Sequence, residues 1–182
     1  MRKLCAGLMM SLDGVVESPD QWTEQYWAPE MAGVMAEALE SADTVLLGRR
    51  TYLEFAKLWP EQGDSNPMAA FLNGSPKYVA SSTLDTLEWE GSTLVKGDVV
   101  AKVRELKQQE GGNIQVPGSP LLVRSLLVAG VLDELALMIF PVVVGGGTRL
   151  FDDVTRSFEL TLADATTYST GVQGLRYEPA GK

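Results

Sequence analysis

The stretch that most limits how this chain can fold is Thr44-Val45-Leu46-Leu47-Gly48-Arg49-Arg50-Thr51-Tyr52. A run of β-branched and leucine side chains is what a strand buried on both faces carries. Here the run breaks at a glycine, which suits a tight turn and lets another group approach the backbone. A helix then begins, and its free N–H groups and partial positive charge attract an anion. Arg49 and Arg50 stand where a guanidinium can fork onto a phosphate. The same residues also fit an ordinary strand–helix turn with two solvated arginines. The theme recurs at Val116-Pro117-Gly118-Ser119-Pro120, where Ser119 suits an N-cap and Pro120 a first helical position.

Strands are expected at residues 3–10, 44–48, 77–80, 94–95, 114–116 and 134–144, the last interrupted at Pro141. Helices are expected near 29–39, 50–57, 68–72, 98–109 and 120–128, with a polar loop over 61–66. Met31, Val34, Met35, Ala38 and Leu39 give the first helix one apolar face. Asp98 is an N-cap candidate, with Val99, Val103 and Leu106 turned inward. The helix from Pro120 is expected to bury Leu121, Leu122, Leu126 and Val128 and to stop at Gly130. Residues 158–165 and 172–178 alternate and predict an antiparallel pair. The pattern predicts a three-layer α/β fold: a mostly parallel central sheet, helices on both faces, and an antiparallel C-terminal edge. One domain over residues 1–182 is the expectation.

Composition narrows the chemistry. A net charge of −9 opposes a nucleic-acid surface or a polybasic membrane patch, since both need clustered cations. There is no histidine, which removes Ser-His-Asp and Cys-His hydrolysis and histidine-held metals. Cys5 is the single cysteine, so no metal site is expected from thiolates either. Proton transfer must then use a carboxylate, Tyr, Lys, a substrate group or water. No apolar segment is long enough to span a bilayer, and a cytoplasmic protein is the expectation.

In a parallel sheet, ligands collect beyond the carboxyl ends of the strands. The loops there are 11–17, 48–51, 81–83, 96–97 and 117–119, and two of them open helices that could share a diphosphate. Neither Gly-x-Gly-x-x-Gly nor a P-loop is present, and Gly145-Gly146-Gly147 reads as a turn. Trp22, Tyr26 and Trp27 either pack back on the core or line a pocket for a flat ring.

An ordered set of pieces then carries a resemblance over the whole chain. They are Met10-Ser11-Leu12-Asp13-Gly14, Leu47-Gly48-Arg49-Arg50-Thr51-Tyr52, Ser81-Ser82 and Val116-Pro117-Gly118-Ser119. Leu132-Asp133-Glu134-Leu135 follows, then Pro141-Val142-Val143-Val144-Gly145-Gly146-Gly147 with Leu150-Phe151. The set resembles the dihydrofolate-reductase-like superfamily, in the branch of the C-terminal reductase domain of the riboflavin-biosynthesis deaminase–reductase.

The resemblance implies NADPH as hydride donor and a homodimer. It assigns Gly48, Arg49 and Thr51 to the adenosine phosphates, with Arg49 on the 2′-phosphate, Thr51 on the diphosphate and Arg50 assisting. Ser81, Ser82, Lys96 and Gly97 would flank the adenosine. Gly118, Ser119, Leu121 and Leu122 would form the second diphosphate turn, although this chain has Gly-Ser-Pro where the family often has a glycine run. On the substrate side it points to Glu30 at the start of the first helix and to Asp13 after the first strand. The glutamate equally fits a helix N-terminus favoured by the dipole, and the aspartate a turn fixed by its side chain. The implied activity is like that of 5-amino-6-(5-phosphoribosylamino)uracil reductase. The alternatives are a dihydrofolate reductase and a non-catalytic NADPH-binding protein.

Overall fold

The computed structural model describes residues 1–63 and 66–180, so residues 64 and 65 of the loop expected over 61–66 lie outside the described residues. The elements in chain order are β1 (Leu4–Ser11), α1 (Pro29–Glu40), β2 (Ala42–Gly48), α2 (Arg49–Leu58) and α3 (Pro67–Gly74). Then come β3 (Lys77–Ala80), β4 (Ser92–Val95), α4 (Val99–Gln108), β5 (Asn113–Val116) and α5 (Pro120–Val128). The chain closes with β6 (Glu134–Phe140), β7 (Leu160–Thr167) and β8 (Gln173–Pro179). Two short 3-10 turns, Pro19–Gln21 and Glu24–Tyr26, break the long loop after β1.

The strands form one sheet in the order β4-β3-β2-β5-β1-β6-β8-β7. It is parallel except at β8, which runs antiparallel to both β6 and β7. This is the expected three-layer fold with an antiparallel edge. β2 shows why its sequence is apolar throughout. Leu46 packs in the core with Val103 and Leu106 of α4 and Val123 and Leu126 of α5. Val45 and Leu47 face the other way, into a second core with Tyr52 of α2 and Leu72 of α3. α1 lies on that second face, where Met31 joins Phe140, Tyr168 and Val172 in a third cluster.

Local signals explain several boundaries. The Asp98 carboxylate accepts the Ala101 N–H at 2.9 Å and caps α4. Asn66 does the same for α3, accepting from Met68 and Ala69. A fully buried Lys77 closes the far end of α3. Its ammonium donates to the carbonyls of Leu72, Asn73 and Ser75 at 2.8, 3.2 and 2.8 Å, and lies 4.7 Å from the Trp89 ring centroid. Burial pushes its pKa down.

Three expectations need correction. The strand expected over 134–144 stops at Phe140, because Pro141 cannot donate to a ladder and Val142–Val144 turn away as loop. In α5 the buried positions are Leu122, Val123, Leu126 and Leu127, while Leu121 is 62% exposed. Finally, the apolar face of α1 is only partly covered among the described residues: Met31 is buried, Met35 and Leu39 are half-buried, and Val34 is 47% exposed. Periodicity marks which side of a helix is apolar, whereas burial requires something of sufficient size beneath it. Beneath α1 the floor includes Gly7 and Ala136, which face each other across β1 and β6. A cleft of about 910 Å³ remains between helix and sheet.

Candidate functional site

The carboxyl ends of β2 and β5 bring the two glycine turns together. The Gly48 N–H donates to the Gly118 carbonyl at 3.3 Å, and the Thr51 and Ser119 hydroxyls are hydrogen-bonded at 3.1 Å. A Cβ on Gly118 would meet the Thr51 hydroxyl at 2.7 Å, and one on Gly48 would overlap the Ser119 side chain. Both positions therefore need glycine for close approach, and Gly118 also has φ +154. Its peptide bond to Ser119 is cis. Ser119 stands at the N-cap of α5 but makes no side-chain cap, because its hydroxyl is turned to Thr51. That corrects the simple capping role read from the sequence. The helix-start N–H groups of α2 and α5 thus open side by side at one end of the sheet.

The two arginines separate. The Arg50 guanidinium is held by Glu17 at 2.6 Å and by Glu54 at 3.3 Å. Arg49 is exposed and has no hydrogen bond or ion pair among the described residues. Beyond β3, the Ser81 hydroxyl accepts the Thr83 and Leu84 N–H groups and shapes its own turn, while Ser82 is exposed. Lys96 pairs with Asp85 at 2.9 Å, and Gly97 beside it has φ +86. The Leu121 side chain lies outward and Leu122 inward, so what these two can offer a ligand is their backbone.

The carboxylates after β1 are structural anchors. Asp13 accepts the Ser11 hydroxyl at 2.7 Å, the Val144 and Gly145 N–H groups at 3.0 and 2.9 Å, and Arg149 at 3.4 Å. These donors, Ser11 first, hold its carboxyl well below the usual carboxylate range. Glu17, which the sequence reading did not single out as a site residue, accepts both the N–H and the hydroxyl of Thr148 at 2.9 Å besides binding Arg50. Together they bind residues 11–17 to 144–149, with Val15 and Arg149 forming an antiparallel bridge. Within this loop-to-loop packing the Gly145 N–H donates to Asp13, and a Cβ on Gly147 would meet Val15 at 3.0 Å.

Glu17 gives a pH prediction. The Thr148 N–H first, then Arg50, lowers its pKa from 4.5 to about 2. A depressed carboxylate pKa stabilises the fold fully above about 4.5, and that contribution is lost as pH falls toward 2. The Thr148 amide resonance should follow that acid titration in the wild type and be flat over the same range in Glu17→Gln.

At the other side of the same sheet end, Glu30 opens α1. One oxygen of its carboxylate accepts the Ser169 hydroxyl at 2.6 Å and the Ser169 N–H at 3.1 Å. These bonds, the hydroxyl first, lower its pKa. Its partner oxygen accepts no hydrogen bond from another residue among the described ones. Of the three loop aromatics, Trp22 and Tyr26 pack edge-on to Phe140 at 5.6 and 6.2 Å, and Trp27 is 43% exposed. The cleft beneath α1 reaches Pro117 and Tyr168 at its upper end, next in sequence to Gly118 and Ser169.

Ser169, Glu17 and Arg149 carried no signal in the sequence because Glu30, Arg50 and Asp13, which they bind, lie more than 30 residues away.

The fold and the paired helix-start turns define a dihydrofolate-reductase-like α/β domain. Within that class, residues 2–174 match the model of the RibD C-terminal domain, and the chain belongs to that family. It is 28% identical to the uncharacterized protein YyaP of Bacillus subtilis over 97% of this chain and 94% of that one. Among solved structures it is similar to a putative riboflavin biosynthesis protein from Shewanella sp. PV-4. The TM-score is 0.75 at 21% identity, covering 98% of this chain and 99% of that one. It also resembles dihydrofolate reductase from Enterococcus faecalis, solved with NADP(H), with a TM-score of 0.63 at 17% identity over 98% and 96% of the two chains. Among the described residues no helix is long and apolar enough to cross a membrane.

Proposed function

We propose that this chain is an NADPH-dependent reductase of a small heterocyclic substrate, of the kind represented by 5-amino-6-(5-phosphoribosylamino)uracil reductase. The observation that carries the reading is the interlocked pair of helix starts beside an unpartnered Arg49. Two dipoles and a free guanidinium at one point form a site for a phosphorylated cofactor. The cofactor supplies a hydride when bound. Thr51 and the N–H groups of Leu121 and Leu122 would hold the diphosphate, and Arg49 the 2′-phosphate. Pro120 has no N–H to add. Gly48 and Gly118 keep the two turns close enough to act together, with Ser119 as the wedge between them. Ser81, Ser82, Lys96 and Gly97 would flank the adenosine, while Arg50 is committed to Glu17 and supports the loop.

Glu30 would accept hydrogen bonds from the N–H edge of the substrate ring through its open oxygen. Asp13 acts through the loop it holds. The reading includes a cytoplasmic homodimer. A carboxylate at the helix start, Glu30, favours dihydrofolate reduction as the second reading, and turnover of dihydrofolate against the ribosylaminouracil separates the two. NADPH binding without turnover of either would mark a non-catalytic NADPH-binding protein.

The test is calorimetric titration with NADPH and NADH. Wild-type protein should bind NADPH tightly and NADH weakly. Arg49→Ala should weaken NADPH about 10- to 100-fold, the scale of a lost charge-assisted contact, and leave NADH nearly unchanged. Equal losses for both would remove Arg49 from the 2′-phosphate, and no binding of either would overturn the assignment.

A further inference from the structure

With no histidine in the chain, a reduction has to draw its proton from a carboxyl, a phenol, an ammonium or water. The groups of this kind that line the cleft stand at different heights along the sheet. Lys3, Glu134 and the amino terminus lie at its amino end, where β1 and β6 begin. Asp164 is midway, on the rung Gly7–Ala136–Arg176–Asp164 that crosses β1, β6, β8 and β7. Glu37 sits about two turns down α1 from Glu30. Tyr168 follows Thr167, the last residue of β7, and β7 runs in the same direction as β1 and β6. It therefore stands at the carboxyl end, where the turns at Gly48 and Gly118 open and where the cleft reaches Pro117.

Tyr168 is held with its ring buried and its hydroxyl unused. The residue is 5% exposed and packs with Met31, Phe140 and Val172. Gly174 makes room for the ring, since a Cβ there would meet both a ring carbon and the hydroxyl oxygen at 3.0 Å. A closed turn fixes the backbone: the Tyr168 N–H donates to Val172 and the Gly171 N–H donates to Tyr168, both at 2.9 Å. Ser169, the next residue, is tied to Glu30 at the start of α1. The Tyr168 hydroxyl makes no hydrogen bond among the described residues, and it is not one of the fully buried polar atoms left without a partner. It is therefore open to the cleft that the residue lines. Burial first, then the charges of Asp164 and Glu30, raises its pKa above 10.0, so the phenol keeps its proton at neutral pH.

We propose that Tyr168 is the proton donor of the reduction. Its phenol proton passes to the heteroatom of the substrate's C=N or C=O bond as the carbon of that bond receives a hydride. The π pair of the bond takes the proton, NADPH is oxidised to NADP+, and the tyrosinate regains a proton from water. This rests on the reductase reading, and it adds the acid that the glycine turns and Arg49 do not supply.

The experiment compares wild type with Tyr168→Phe, which removes one oxygen and keeps the packed ring. Dihydrofolate and 5-amino-6-(5-phosphoribosylamino)uracil are each tried with NADPH. The variant should lose about 100- to 1000-fold in kcat, the scale of a lost general acid, with KM and NADPH affinity nearly unchanged. Wild-type kcat should be flat around neutral pH, because the donor stays protonated. In Tyr168→Phe it should rise as the pH is lowered, because the proton then comes from solution. A second readout needs no turnover. In protein carrying carbon-13-labelled tyrosine, the Tyr168 signal is assigned by its loss in Tyr168→Phe. It should shift when either compound is added to protein loaded with NADP+.

Undiminished kcat in Tyr168→Phe overturns the inference. So does a loss of kcat that leaves the pH profile unchanged, which marks a structural role, and so does a Tyr168 signal that neither compound moves. Turnover of neither compound by the wild type sinks the reductase reading, and the labelled tyrosine still decides whether the hydroxyl meets a ligand.

Discussion

Gly48→Ala should lower NADPH affinity about 100-fold, because a small displacement of positioned groups is enough for a loss of that size. The added methyl would overlap the Ser119 hydroxyl, lie 2.9 Å from its Cβ, and lie 3.2 Å from its backbone nitrogen. The backbone there has φ −78, so the obstacle is contact and not conformation. α2 and α5 would have to separate, and their N–H groups would no longer open toward one point. Overpacking of this kind also costs about 2 kcal/mol of stability. The double variant Gly48→Ala/Ser119→Gly removes the side-chain overlap and should recover most of both losses. Calorimetry for NADPH and urea unfolding for stability are the two readouts. Wild-type affinity in Gly48→Ala would mean that the two turns do not act as one site.

The second large effect is on stability alone. Lys77→Met should destabilise the protein by about 3 kcal/mol, since three carbonyls lose a charged donor that water cannot replace. The lysine is fully buried beneath the end of α3, where its ammonium also meets the Trp89 ring. Methionine fills much the same volume, so the loss reports the hydrogen bonds more than a cavity. The urea midpoint should fall with an unchanged slope, while NADPH affinity, measured well below the midpoint, stays the same. A loss under 1 kcal/mol would mean that the neutral chain satisfies the site as well as the ammonium does.

Both cases show how legible the fold was. β2 announced itself through an apolar run that only a doubly covered strand supports, and the chain's strand–helix alternation then implied the parallel sheet. The antiparallel edge followed from alternation in β7 and β8. Less visible were features that depend on what faces a residue across space. The apolar stripe of α1 looked like a packed face, yet Gly7 and Ala136 beneath it leave it only partly covered. Ser119 looked like an ordinary cap, yet its hydroxyl is used by Thr51 from another turn. Arg49 and Arg50 are neighbours in the sequence, and only the fold shows that Glu17 occupies Arg50.

The sequence by itself determined the order and type of the elements, the two glycine–helix starts and the lack of histidine chemistry. These are properties of neighbouring residues or of composition, and local backbone preference and hydrophobic period encode them. Only the tertiary structure decided which arginine stays free, that Ser169 binds Glu30, that Asp13 ties two loops, and that a cleft lies under α1. Each of these joins residues far apart in the chain, and no local preference specifies a distance between them. The packed sheet sets those distances, and with them the chemistry the site can perform.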